Sequence, residues 1–222
     1  MLKYQHILWD WNGTLLDDLD LCLETINAML SRRGLTPLSR QAYRNVFTFP
    51  VQDYYREIGF DFEKDSFETI STEFILAYEA GRARCNLMPG AEKTLADLST
   101  LGLSQSVISA SKQAYLRQAV RSYSLESHFT AVNGLNNHHA ASKVELGLAF
   151  IAAQKREPGD YLLVGDTLHD AEVAAAMGVD CCLVPNGHQD RARLAAAGVP
   201  LLEDLAEIGL LITSPDGDKD AS

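Results

Sequence analysis

Two acidic positions stand directly after short apolar runs in this 222-residue chain. Asp10 follows His6–Trp9, and Asp166 follows Tyr161–Gly165. A third run, Gln105–Ser109, ends on a hydroxyl, and Lys143 follows Ser142 later in the chain. Two carboxylates, a hydroxyl and an ammonium group suit a phosphoryl group and a hard cation. A carboxylate that attacks phosphorus approaches an anion, so positive charge must offset the repulsion. Asp10 and Asp166 offer oxygen ligands to Mg²⁺, which keeps several of its waters and bridges to phosphate. Ser109 and Lys143 offer contacts to the transferring oxygens, with Lys143 as a point charge and backbone N–H groups at nearby helix starts assisting. Gly13 lets the chain turn tightly beside Asp10. Asp10 would then form an aspartyl-phosphate that water hydrolyses.

Positioning such groups requires strands that end together. The runs His6–Trp9, Gln105–Ser109, Phe129–Val132, Tyr161–Gly165 and Asp180–Val184 predict buried strands. Helical patterns lie between them near Ala91–Leu101, Lys112–Arg121, Lys143–Lys155 and Asp170–Met177. Alternation of this kind predicts an α/β class: a Rossmann-like parallel sheet with helices on both faces and a ligand site at the carboxyl ends of the strands. Residues 18–84 break the alternation. There Leu19, Cys22, Leu23, Ile26, Met29 and Leu30 recur at helical spacing with Gly34 to close the helix, and Phe67, Ile70, Phe74, Ala77 and Tyr78 suggest another. The expected organisation is a core of residues 1–17 and 85–212, an inserted α-helical domain at 18–84, and a polar, Asp-rich, disordered tail at 213–222.

The segments Asp10-Trp11-Asn12-Gly13-Thr14, Ser109, Lys143 and Gly165-Asp166-Thr167-Leu168-His169-Asp170 resemble the motifs of the haloacid dehalogenase superfamily, especially its phosphoglycolate-phosphatase-like branch. The resemblance runs from His6 to about Leu211. It implies Asp10 as nucleophile and Thr14 as the motif threonine grouped with the phosphate contacts Ser109 and Lys143. It also implies a Mg²⁺ site of Asp10, the Asn12 carbonyl, Asp166 and Asp170. By the same resemblance the insert is a helical cap closing over a small phosphorylated metabolite, and Met88-Pro89-Gly90 re-enters the core.

One position departs from the pattern. Family phosphatases carry a second aspartate two residues after the nucleophile, which protonates the leaving alkoxide and later activates water, whereas this chain has Asn12. An amide exchanges no proton near neutral pH, and general acid/base catalysis is worth about 10² to 10⁴-fold. Three readings follow: a phosphatase restricted to good leaving groups, one whose acid/base comes from elsewhere, with His169 and His188 the nearest candidates, or a phosphate-ligand sensor or scaffold with impaired turnover. Carbon–halogen hydrolysis is disfavoured because the magnesium set is complete.

Bland readings stand beside these. Thr167 with Asp170, and Ser142 with Glu145, have capping-box spacing. Phe47, Phe49, Tyr54 and Tyr55 read as core more readily than as pocket, and Trp9 as core, with Trp11 able to shield the nucleophile. Asn136-Asn137-His138-His139 reads as a solvated turn rather than a zinc site. A formal charge of −11 argues against nucleic-acid or membrane-surface partners. Four cysteines without paired spacing suggest reduced thiols, and the absence of a signal-like or bilayer-spanning run predicts a cytoplasmic protein.

Overall fold

The computed structural model describes residues 2–135 and 142–213; Asn136–His139 and residues 214–222 of the predicted tail lie outside them. In chain order the strands are β1 (His6–Trp9), β2 (Leu16–Asp17), β3 (Asn86–Leu87), β4 (Ser104–Lys112), β5 (Ala131–Leu135), β6 (Tyr161–Gly165) and β7 (Asp180–Leu183). A five-stranded parallel sheet has the order β5-β4-β1-β6-β7, with β1 at its centre. Helices α1 (Leu19–Arg32), α2 (Arg40–Val46), α3 (Val51–Glu57) and α4 (Phe67–Gly81) form the insert, while α5 (Ala91–Thr100), α6 (Gln113–Ser122), α7 (Lys143–Ala152) and α8 (Leu168–Met177) flank the sheet. No helix of the described residues is long and apolar enough to cross a membrane.

β1 and β6 are buried along their whole length, as a parallel sheet covered on both faces demands. The apolar core splits accordingly. Ile7, Trp9, Leu95, Val107 and Val164 pack on one face, and Leu8, Phe150, Leu163, Val173 and Met177 on the other. Trp9 is core, its indole N–H donating to Gln105 Oε1 at 3.0 Å. Trp11 is core as well, packed near Tyr123. The expected strand at Phe129–Val132 is displaced: Phe129 ends a 3-10 turn and β5 starts at Ala131. Its apolar run spans both pieces, and periodicity alone does not divide them.

The insert has its own core around Leu19, Ile26, Met29, Tyr43, Tyr54 and Ile70. Ser39 and Ser66 cap α2 and α4 by accepting from backbone N–H groups three residues on, which fixes where those helices start. Two extended links connect insert to core, and they pair: β2 and β3 form a short antiparallel ribbon. At the opposite side the insert is clasped to the loop after β7. Arg44 donates to Gly187 O at 2.9 Å, and Arg193 and Gln189 both donate to Phe47 O, at 2.6 and 2.9 Å.

Candidate active site

Asp10, Ser109 and Asp166 follow or end β1, β4 and β6, so the parallel register brings them to one edge of the sheet. Lys143, at the start of α7, reaches that edge. Its ammonium donates to Asp10 Oδ1 and, at 2.5 Å, to Asp170 Oδ1, with all three side chains buried. Ser109 is buried beside them and accepts from the Ser111 backbone N–H at 3.1 Å, a turn produced by the register shift between Ile108 and Lys112. Asp10, Ser109, Lys143, Asp166 and Asp170 all border one cavity under the insert. Thr14 does not border it: its hydroxyl sits 3.2 Å from Asp166 Oδ1 and 3.4 Å from Asp10 Oδ2, where it orients the two carboxylates.

The capping-box readings hold together with the site reading. Thr167 and Asp170 cap α8, and Asp170 Oδ2 accepts from the Thr167 hydroxyl and from the N–H groups of Thr167 and Asp166. Its other oxygen faces Lys143, so one residue starts a helix and positions the ammonium. Ser142 and Glu145 likewise start α7 and thereby place Lys143. Gly13 has a φ of +77°, and a Cβ there would collide with Asp166 and His188; the tight turn expected beside Asp10 requires glycine.

The amide of Asn12 is held from three sides. Its Nδ2 lies 2.7 Å from both Asp18 Oδ2 and the Tyr78 hydroxyl, and its Oδ1 accepts from Ser111 Oγ at 2.6 Å. Asp18, absent from the sequence-based candidates, is the hub. It stands at the N-cap of α1 without capping it; its carboxylate instead accepts from Gly13 N, Tyr78 OH and Asn12, and faces His188 Nε2 at 3.2 Å. His188 is tied at both ring nitrogens, since Nδ1 lies 2.9 Å from the Tyr43 hydroxyl. His169 pairs through Nδ1 with Glu172 and stacks on Phe49 with centroids 4.8 Å apart. Phe47, Phe49, Tyr54 and Tyr55, expected as core, line the cavity; Tyr54 and Tyr55 are in the insert's core as well.

Charge is crowded here. Asp10, Asp166 and Asp170 can each offer an oxygen within 4.8 Å of the others, a hard-oxygen set that fits Mg²⁺. Burial lifts Asp10 to about 6, with Lys143 opposing and Asp170 adding to the rise. Burial lifts Asp166 to about 8, with Asp10 and Asp170 reinforcing it against His188. For His188 burial alone would lower the value, but Asp18, then Asp166 and Asp10, hold it at about 9. Asp170 goes the other way: its burial is outweighed by Lys143 and Thr167. These shifts fix the sign of a pH effect. A carboxyl raised above 3.8 favours the fold when protonated, so its contribution is lost as pH rises through about 6 for Asp10 and 8 for Asp166. A histidine raised above 6.5 contributes fully below that value and loses its contribution through about 9. The metal-free protein is therefore expected to melt at a lower temperature at pH 9 than at pH 6.5; equal melting temperatures would contradict the assignment.

A parallel α/β core, a helical insert after its first strand and a buried Asp–Lys–Asp centre beneath that insert define a capped aspartate-centred hydrolase scaffold. Residues 7–184 match the model of the haloacid dehalogenase-like hydrolase family, and the chain belongs to that family. Among curated relatives, the tyrosine-protein kinase PtkA of Mycobacterium tuberculosis is 29% identical over 191 residues, covering 83% of this chain and 63% of PtkA. The chain thus spans less than two thirds of that relative. The phosphoglycolate phosphatase of Synechococcus elongatus is 23% identical, covering 87% of this chain and 89% of its own. Among solved structures, a haloacid dehalogenase-like family protein from Streptococcus pneumoniae aligns with a TM-score of 0.82 at 15% identity, covering 94% of this chain and 98% of that one. This confirms the Rossmann-like fold with its helical cap.

Proposed function

We propose that the protein is a Mg²⁺-dependent phosphomonoesterase acting on a small phosphorylated metabolite through an aspartyl-phosphate on Asp10. The observation that carries this reading is the buried Asp10–Lys143–Asp170 arrangement bordering a cavity that Ser109 and Asp166 also border. Asp10 is the nucleophile. Lys143 and Ser109 hold the phosphoryl oxygens, and Thr14 aligns the carboxylates. Asp166 and Asp10 would hold the metal with the Asn12 carbonyl, and Asp170 supports the centre by fixing Lys143. When bound, Mg²⁺ supplies charge neutralisation on the phosphoryl group. Relatives named as phosphatases of phosphoglycolate and of N-acetylmuramic acid 6-phosphate support the substrate class. The test is phosphate release from a panel of phosphate esters with and without Mg²⁺; no release that depends on the metal overturns the reading.

The rival, a phosphate-ligand sensor or scaffold, rests on the amide at position 12. Asn12→Asp separates the two. It sets a carboxyl in the place of an amide whose nitrogen lies 2.7 Å from Asp18 Oδ2, so the two carboxyls would share a proton and create a donor beside Asp10. Alkyl phosphate hydrolysis is expected to rise by about 10²-fold or more. A protein that binds inorganic phosphate tightly and stays inert in both forms would instead be a sensor.

A further inference from the structure

The cavity above Asp10 has a volume of about 420 Å³ and reaches from the sheet edge into the cap. Its upper walls present rings: Phe47 and Phe49 from the α2–α3 link, Phe74 and Tyr78 from α4, and Tyr115 from α6. The rings of Phe74 and Tyr78 are nearly parallel, 16° apart, and Phe47 meets Phe49 edge-on at 80°. Among the described residues no arginine lines this space. Of its lysines, Lys143 is engaged by Asp10 and Asp170, and Lys112 lies over the Tyr115 ring at 5.3 Å. A flat apolar body gains from burial against such rings, and the two cations nearest Tyr115, Lys112 and Arg82, both lie over the face of its ring.

A separate observation concerns the leaving group. Asn12 donates no proton to an alkoxide, and its amide is locked by Asp18, Tyr78 and Ser111. His188 has both ring nitrogens engaged. A phenol ionises near 10, as tyrosine does, while an alcohol is far less acidic, close to water, so a phenolate departs without a proton far more readily. Wall and leaving-group requirement point to one chemistry. We infer that the site is built for small aryl phosphate monoesters, in which the phosphate is carried on a phenolic oxygen; this rests on the phosphatase reading above. In the first step a bond forms between an Asp10 carboxylate oxygen and phosphorus as the P–O bond to the ring breaks, and the phenolate leaves with the electron pair. In the second, water bonds to phosphorus, the P–O bond to Asp10 breaks, and inorganic phosphate departs with the water's proton passing to solvent.

Two measurements on the full-length protein with Mg²⁺ test this. The first compares kcat/KM for phenyl phosphates of graded phenol acidity with propyl phosphate and phosphoglycolate. Phenyl phosphate is expected to exceed the alkyl esters by about 10²-fold or more, and rates should fall as the phenol becomes less acidic. The second removes leaving-group chemistry: phenylphosphonate should inhibit about tenfold more tightly than propylphosphonate, and Phe74→Ala should narrow that gap. Magnesium-dependent release that favours alkyl esters, or equal inhibition by the two phosphonates, overturns the aryl assignment while leaving the phosphatase reading intact. Alkyl turnover as fast as aryl that His169→Gln abolishes also overturns it, by identifying a proton donor. No release from any ester overturns both.

Discussion

Asp10→Asn should abolish magnesium-dependent phosphate release, by about 10⁴-fold or more, while leaving the melting temperature within a few degrees of wild type. The oxygen proposed to attack phosphorus is lost, and an amide does not replace it. Stability survives because Asp10 is one of three carboxylates crowded within 4.8 Å, and burial already makes its ionised form unfavourable. Lys143 keeps Asp170 as its partner. Binding of inorganic phosphate should persist, since Ser109 and Lys143 remain. Residual turnover at a wild-type rate would remove Asp10 from the chemistry; a collapsed melting temperature would show that the residue is structural first.

Lys143→Met should be damaging in both respects. The lysine is 5% exposed and is the ammonium among three buried carboxylates, so its removal leaves negative charge uncompensated at a cost of about 3–5 kcal/mol. For a domain of this size that corresponds to a fall of roughly 10 °C in melting temperature. The deficit should be larger at pH 8 than at pH 5.5, because losing the ammonium raises Asp10 further and removes what holds Asp170 low, making their ionised forms more unfavourable in the fold. Added Mg²⁺ should recover part of the stability but little activity, since the phosphoryl oxygens lose their cation. A variant as stable as wild type at pH 8 would mean that the centre is hydrated and its charges are screened.

Much of this centre was readable because parallel strands end together: residues after short apolar runs necessarily converge, which placed Asp10, Ser109 and Asp166 at one edge. Capping signals carried double information. Ser142 and Thr167 start helices, and those starts deliver Lys143 and Asp170. What the chain did not disclose is the Asp18 hub. Its contact with His188 joins residues 170 positions apart and exists only once the cap is seated on the loop after β7, so no local spacing announces it. Phe47 and Phe49 escaped for another reason. Aromatics that pack a core and aromatics that wall a cavity share the same periodicity, and only their packing against His188 and His169 distinguishes them. The shift at Phe129 shows the same limit at a strand boundary.

The two-residue ribbon of β2 and β3 bears on the order in which the chain assembles. The central strand β1 pairs with β4, which lies beyond the whole cap, and with β6 farther still. Forming that pairing from an unstructured chain means closing a loop that contains every cap residue. Because the cap has its own apolar core and its two ends meet at the ribbon, folding it first shortens that loop about threefold and lowers the entropic cost of closure by about 1 kcal/mol. An insertion that interrupts the sheet in sequence thus need not separate its central strands in space, since a folded cap holds its two ends side by side.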